Sequence, residues 1–396
     1  MVFRKLLMGA IALASIAAYC EWAAPKSNIP IERLIKVSEA KHKANPKDAV
    51  PLYHLGRLHS LLFSSASNVT EVYYESDEKD FSFPPYHTIR VKRNGDKPLT
   101  SSEVKELNLS LEFYSQATKA DPSQALFKFG LAWMHMEASP YASQVTWKGA
   151  PTEKTPTAFL KSSLEQFRQV YAMAKPKDLE VKTFMLGIPD IMLSRETGRI
   201  ILDLATKPGM GGLKPGEKED ITKTIETIQK FPQAITPIIF PVSGGSFDTL
   251  INPSASTKFD FTGFKDGKSF PWVTRQAGIL VWDPENKGKI TSGRQLFGNS
   301  TFWMFFDNGY SALASLDDDQ NGWLEGRELK GIAVWIDQNE NAISEPGEVK
   351  AVATHGISRI NTMVGDTFAG MPLQLNGIHT KSGDIIPTYD WTPVSH

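Results

Sequence analysis

The residues whose types and spacing carry chemistry lie between positions 316 and 348. In LDDDQNGWLEGREL, counting from Asp317, oxygen-bearing side chains stand at position 1 (Asp317), 3 (Asp319), 5 (Asn321), 9 (Glu325) and 12 (Glu328). Gly322 takes position 6 and Leu324 position 8. Calcium is a hard cation that wants six to eight oxygens at about 2.3–2.6 Å, and short Asp and Asn side chains supply them within one tight turn. Gly322 permits the sharp bend, the Trp323 carbonyl offers a further oxygen, and Glu328 closes the shell with both of its own. Leu324 is expected to pack inward and to pair with the neighbouring loop. The bland alternative is an acidic, solvated turn capping a helix; seven fitting positions favour the ion.

Twenty residues later, WIDQNENAISEPGEV repeats the scheme. Asp337, Asn339, Asn341 and Glu348 take positions 1, 3, 5 and 12, with the Ile343 carbonyl at 7 and Glu345 at 9. Ala342 stands where glycine is usual, in a left-handed bend that costs a residue with a Cβ about 1 kcal/mol. The two asparagines also lower the ligand charge, so weaker binding is expected here. A third stretch, WDPENKGKITSGRQLFG, places Asp283, Glu285, Lys287 and Gly288 in the same order. It puts a cation at position 5 and Arg294 at the closing position. This loop is expected to keep the turn without the ion, Lys287 standing in for the missing charge.

Each of the first two spacings is that of an EF-hand calcium loop, and their order along the chain matches a longer pattern. Residues 237–391 resemble the calcium-binding segment near the ends of large secreted bacterial proteins of the RTX and haemolysin type. The resemblance runs through GILVWDPENKGKITSGRQLFGNST, GYSALASLDDDQNGWLEGRE, IAVWIDQNENAISEPGEV and HGISRI in turn. The tail LNGIHTKSGDIIPTYDW looks like that segment's closing hairpin. What the resemblance implies is Ca2+ at Asp317, Asp319, Asn321 and Glu328, and less strongly at Asp337, Asn339, Asn341 and Glu348. Two departures limit it. The early acidic loops appear as FPVSGGS and FDFTGFKDGK, without most of their carboxylates, and the glycine-rich nonapeptide array is absent. Neither type-I secretion nor cytotoxicity follows.

Other chemistries find little support. Across 396 residues, 43 Lys and Arg balance 44 Asp and Glu, so no strong field exists to draw nucleic acid or an anionic membrane. The single cysteine, Cys20, excludes an internal disulfide framework and a Cys-built zinc site. His54 and His59 are five apart, the wrong spacing for one metal-binding helix face, and are expected in core or surface roles. The GMGG of residues 209–212 lacks the Lys-Ser/Thr of a phosphate loop. No GxSxG, HExxH or triad-like grouping occurs.

The elements that must position the loops follow from periodicity. Residues 27–65 and 104–205 carry apolar residues at helical spacing. Around Pro46 and Pro122 the pattern weakly resembles the tetratricopeptide repeat, whose helix pairs turn at a proline; an ordinary bundle would pack the same way. Gly56 is placed to let a neighbouring helix approach, and Phe159, Leu164, Phe167 and Tyr171 form a core stripe. Residues 66–103, aromatic and charged, read as an inserted hairpin or lid. Residues 206–234 read as a linker and helix. From 235 onward, short β-branched and aromatic runs with frequent glycine imply strands and turns. At the front, Arg4 and Lys5 precede an apolar stretch from Leu6 to Ala18, the layout of a secretory signal peptide over residues 1–20. A lipid anchor at Cys20 is disfavoured by the bulk of Tyr19.

These features describe a multidomain bacterial protein: an α-helical N-terminal domain, repeat-like or bundled, and an α+β C-terminal domain with paired calcium loops. Export to the periplasm, cell surface or exterior is expected, with calcium firming the C-terminal domain. The helical half would then meet a protein or envelope component, without nucleic acid, without a spanning segment after signal removal, and without an enzymatic role. Two alternatives stand beside it. One is an extracellular enzyme acting on polysaccharide, with Tyr73, Tyr74, Tyr86 and His87 stacking on sugars and calcium purely structural. The other is an adhesion module whose loops have lost their ions.

Overall fold

Residues 29–64, 69–73, 90–93, 98–181, 184–185, 192–261 and 268–395 are described by a computed structural model. The segment read as a signal peptide, with Cys20, and the aromatic residues Tyr74, Tyr86 and His87 lie outside the described residues.

Among the described residues the apolar periodicity of the first half resolves into seven helices: α1 (Ile31–Ala44), α2 (Val50–Ser64), α3 (Ser101–Ala120), α4 (Ala125–Ala138), α5 (Pro156–Glu180), α6 (Leu193–Leu204) and α7 (Glu217–Ile228). α1 and α2 turn at Pro46, and α3 and α4 turn at Pro122. Start signals are local. Thr100 accepts the Glu103 N–H at 3.3 Å while the Glu103 carboxylate accepts the Thr100 N–H at 2.6 Å, a reciprocal capping box. Close packing depends on two glycines. A Cβ at Gly56 would lie 2.8 Å from the Tyr114 ring and one at Gly130 2.4 Å from it, so the ring of α3 is wedged between α2 and α4. The predicted stripe on α5 is buried at Phe159, Leu164 and Phe167. Ile221 of α7 joins the same core, which carries the helical layer past residue 205. Within the 66–103 insertion, β1 (Val69–Tyr73) and β2 (Arg90–Arg93) pair antiparallel.

Strands dominate from residue 233. A short parallel pair, β3 (Phe184–Met185) with β4 (Gln233–Ala234), ties the two halves together. β5 (Ile238–Pro241) leads through the single turn α8 (Phe247–Leu250) to a hairpin of β6 (Ile251–Thr257) and β7 (Phe270–Val273). The main sheet then adds β8 (Ala277–Trp282), β9 (Trp323–Glu325), β10 (Ile332–Trp335), β11 (Val349–Ala351) and β12 (Ile357–Asn361). It closes with β13 (Asp366–Phe368), β14 (Met371–Thr380) and β15 (Ile385–Asp390). The order is β11-β10-β8-β5-β15-β14-β12-β9, with β13 on β14 and every pairing antiparallel. β14 and β15 form the hairpin expected from the tail.

The central strands are buried on both faces, which explains their unbroken apolar runs, GILVW and IAVW. Ile279, Val281, Ala333 and Trp335 face one core with Phe259, Phe261, Phe270 and Trp272. Leu280, Trp282, Ile332 and Val334 face another. That second core also contains Leu34 of α1 and Leu58 of α2, so the helical half supplies part of the cover of the sheet. His54 and His59 have the expected packing roles. His59 pairs with Glu106 at 2.6 Å, and His54 reaches the Phe305 carbonyl at 3.4 Å, its pKa lowered to about 4 chiefly by burial.

Candidate metal centre

The loop at Asp317 follows the one-turn helix α9 (Gly309–Ala314) and ends in a 3-10 turn over Gly326–Leu329. Its shape comes from carboxylates accepting backbone N–H groups. Asp317, 4% exposed, accepts Asn321 N–H on Oδ1 at 3.2 Å and Gly322 N–H on Oδ2 at 2.9 Å. Glu328 accepts Asp318 N–H on Oε1 at 2.7 Å and Glu325 N–H on Oε2 at 3.2 Å. The Asn321 side-chain oxygen Oδ1 accepts Trp323 N–H at 2.8 Å. Three residues adopt left-handed backbone, Gln320, Gly322 and Gly326, at φ of 59°, 85° and 55°. Carboxylate oxygens of Asp317, Asp319 and Glu328 thereby converge within 4.8 Å of one another. Beside them a depression of about 490 Å³, lined by Asp319, Glu325, Arg327, Glu328 and Ser358, opens the site to solvent.

The same scaffold recurs at Asp337. Its Oδ1 accepts Asn341 N–H at 3.2 Å and its Oδ2 accepts Ala342 N–H at 2.7 Å. Glu348 accepts Gln338 N–H at 2.8 Å and Glu345 N–H at 3.0 Å, and Asn341 accepts Ile343 N–H at 2.8 Å. Glu340 and Ala342 have φ of 60° and 61°, so the alanine does occupy the left-handed position. Its methyl is buried in the aromatic core, which offsets the backbone cost. Two features set this loop apart. The Asn339 and Asn341 amides donate to Glu345, at 2.8 and 3.4 Å. Fully buried Asp337 also accepts the Trp272 indole N–H at 2.7 Å, a third donor that the Asp317 carboxylate lacks.

At Asp283 the turn survives as expected. Oδ1 accepts Lys287 N–H at 3.0 Å and Oδ2 accepts Gly288 N–H at 2.8 Å, with Asn286 and Gly288 left-handed. Lys287 forms an ion pair with Glu285, so a cation of the chain itself sits beside the position 3 carboxylate.

The pairing of loops differs from expectation. Leu324 is buried, as predicted, but β9 pairs with β12, placing Leu324 opposite Ile360. The loop at Asp337 is instead joined to the one at Asp283. The Ser344 hydroxyl accepts Ile290 N–H at 2.8 Å and donates to the Ile290 carbonyl at 3.3 Å. β8 and β10 are antiparallel neighbours, so the loops that follow them leave the pair at opposite ends, and it is the Ser344–Ile290 contact that links them.

Electrostatically the Asp317 loop is under-neutralised. Residues 317–328 hold five carboxylates and one cation, Arg327. Burial first, then the charges of Glu328 and Asp319, raise the Asp317 pKa, against the lowering effect of its two N–H donors. Converging hard oxygen donors of net negative charge fit a divalent cation such as calcium. Arg33 and Lys41 approach this loop from α1, which no local signal in the sequence foretold. Arg33 Nε donates to Asp318 at 2.8 Å, and Lys41 donates to the Ala314 carbonyl at 2.8 Å. Among the described residues no helix is long and apolar enough to cross a membrane.

Comparison with known proteins places the likeness in this same region. The family model described as the SPM domain matches residues 241–380, which contain all three loops. The iron-regulated protein FrpA of Neisseria meningitidis serogroup C is 27% identical over 171 residues, which is 39% of this chain and 15% of FrpA. The chain thus spans a small part of the length of the curated relative it matches, and its C-terminal half is similar to the SPM domain.

Proposed function

We propose that this is an exported calcium-binding protein whose C-terminal domain is firmed by ions held at Asp317–Glu328 and, more weakly, at Asp337–Glu348. In the first loop Asp317, Asp319, Asn321, the Trp323 carbonyl, Glu325 and Glu328 are the ligands. In the second they are Asp337, Asn339, Asn341, the Ile343 carbonyl and Glu348. The observation that carries this reading is the convergence of three carboxylates within 4.8 Å on a scaffold of backbone N–H donors. That scaffold recurs, donor for donor, at Asp337. Unpaired, such carboxylates repel; a dication turns the repulsion into attraction and couples binding to folding. Similarity to a bacterial protein supports the bacterial origin, and the helical half is assigned the contact with a partner protein or envelope component. Calorimetric titration of calcium into the EDTA-stripped protein, with magnesium as control, tests this. One or two calcium-selective sites are expected, the tighter abolished by Glu328→Gln. Absence of heat in the wild type would refute it.

A further inference from the structure

The loop at Asp317 has cations of the chain itself at its flank, and they come from the far end of the sequence. Arg33 of α1 bonds the Asp318 carboxylate at 2.8 Å and also donates to the Leu316 carbonyl. About two turns further along the same helix, Lys41 donates to the Ala314 carbonyl, three residues before the first ligand position. Lys41 is largely buried; its ammonium is destabilised by that burial and supported by the charges of Asp317 and Asp48. Between these two contacts Leu34 packs into the core that holds Leu316 and Leu324 of the loop itself. Helix α1 therefore supplies counter-charge to a loop whose own twelve residues carry five carboxylates against one arginine.

A dication at Asp317 takes over the role of that counter-charge. Lys41 then loses its attraction to Asp317 and faces a doubly charged ion instead. We propose, resting on the calcium reading of this loop, that ion and helix are antagonists: calcium at Asp317–Glu328 weakens the seating of α1, and Lys41 weakens calcium binding. Linkage makes the two effects equal in factor. The apolar seat of Leu34 remains, so the result is a graded loosening of the helical half from the loop, a calcium-regulated contact between the two halves.

Lys41→Met removes the charge while keeping the aliphatic stem, and Lys36→Met removes an exposed charge from the same helix as control. Calorimetry is expected to show the Glu328-dependent site about fivefold tighter, or more, in Lys41→Met, and unchanged in Lys36→Met. Unchanged or weaker affinity in Lys41→Met overturns the proposal. A second arm needs no calcium. In EDTA, Asp317→Asn is expected to speed amide hydrogen exchange in residues 31–44 about fivefold relative to wild type, with β8 as internal reference. No acceleration, or the same acceleration in β8, overturns the coupling of α1 to the Asp317 charge. Absence of calcium binding by the wild type, with selective acceleration still seen, would instead sink the site assignment.

Discussion

Replacing Glu328 by glutamine separates an ion ligand from a turn-closing cap, because only the first role makes the loss depend on calcium. Glu328 is 5% exposed, and its oxygens share a 4.8 Å cluster with those of Asp317 and Asp319. Two unit charges at that distance repel by about 0.9 kcal/mol in bulk water and about 3.5 kcal/mol at an effective dielectric constant of 20. Removing the Glu328 charge in the ion-free protein therefore relieves about 1–3 kcal/mol for each of two neighbours. Against this, glutamine keeps one acceptor for the two N–H groups of Asp318 and Glu325, a loss of about 1.5–3 kcal/mol. The relief from the two neighbours together is at least about 2 kcal/mol, so Glu328→Gln falls no more than about 1 kcal/mol below wild type in EDTA. With calcium at a hundredfold excess over its dissociation constant, wild type gains about 2.7 kcal/mol that the variant does not. For a domain of this size that is about 5–11 °C in melting temperature. Urea and thermal denaturation of both proteins, in EDTA and in millimolar calcium, measure the four stabilities. Equal loss in both conditions would refute the reasoning, since Glu328 would then be a cap and nothing more.

Asp337→Asn is expected to cost about 3 kcal/mol or more even in EDTA, because the fully buried carboxylate holds three N–H donors, Trp272 among them; the urea midpoint should fall in EDTA and fall further in calcium, where a ligand is lost as well. Gly130→Ala places a methyl 2.4 Å from the Tyr114 ring and is expected to destabilise by about 1–3 kcal/mol, read by thermal melting of the far-ultraviolet signal. Burial raises the pKa of Asp390 well above its ordinary 3.8, so its stabilising contribution is complete below that value and is lost as pH rises through the raised one. The stability of Asp390→Asn relative to wild type should accordingly increase from pH 4 toward neutrality, and a pH-independent difference in urea midpoints would count against this.

The parts of the site that were legible in the sequence are those set by spacing along the chain. Asp317 reaches the N–H groups four and five residues on, and Glu328 reaches back to positions 2 and 9, so a twelve-residue count captures the scaffold. Helical periodicity likewise marked Phe159, Leu164 and Phe167, and the lone Gly56 marked the approach of Tyr114. What local counting misses is anything fixed by sheet order. The contact of Ser344 with Ile290 spans 54 residues, that of Trp272 with Asp337 spans 65, and that of Arg33 with Asp318 spans 285. Each depends on which strands or layers become neighbours, and neither hydropathy nor spacing encodes that. The expectation that Leu324 would face the next loop failed for this reason: β9 was claimed by β12.

The change of texture near residue 235 looks like a place where the chain divides, yet Leu34 and Leu58 complete a core whose other members lie beyond it. Divisibility in composition and divisibility in folding are therefore different properties here. A fragment starting at the apparent boundary would present an open apolar seat where Leu34 belongs, along with Asp318 stripped of Arg33. Such a fragment should associate with itself or with the missing helices supplied in trans. In synthesis order, the last strands to emerge are completed by the helices made first.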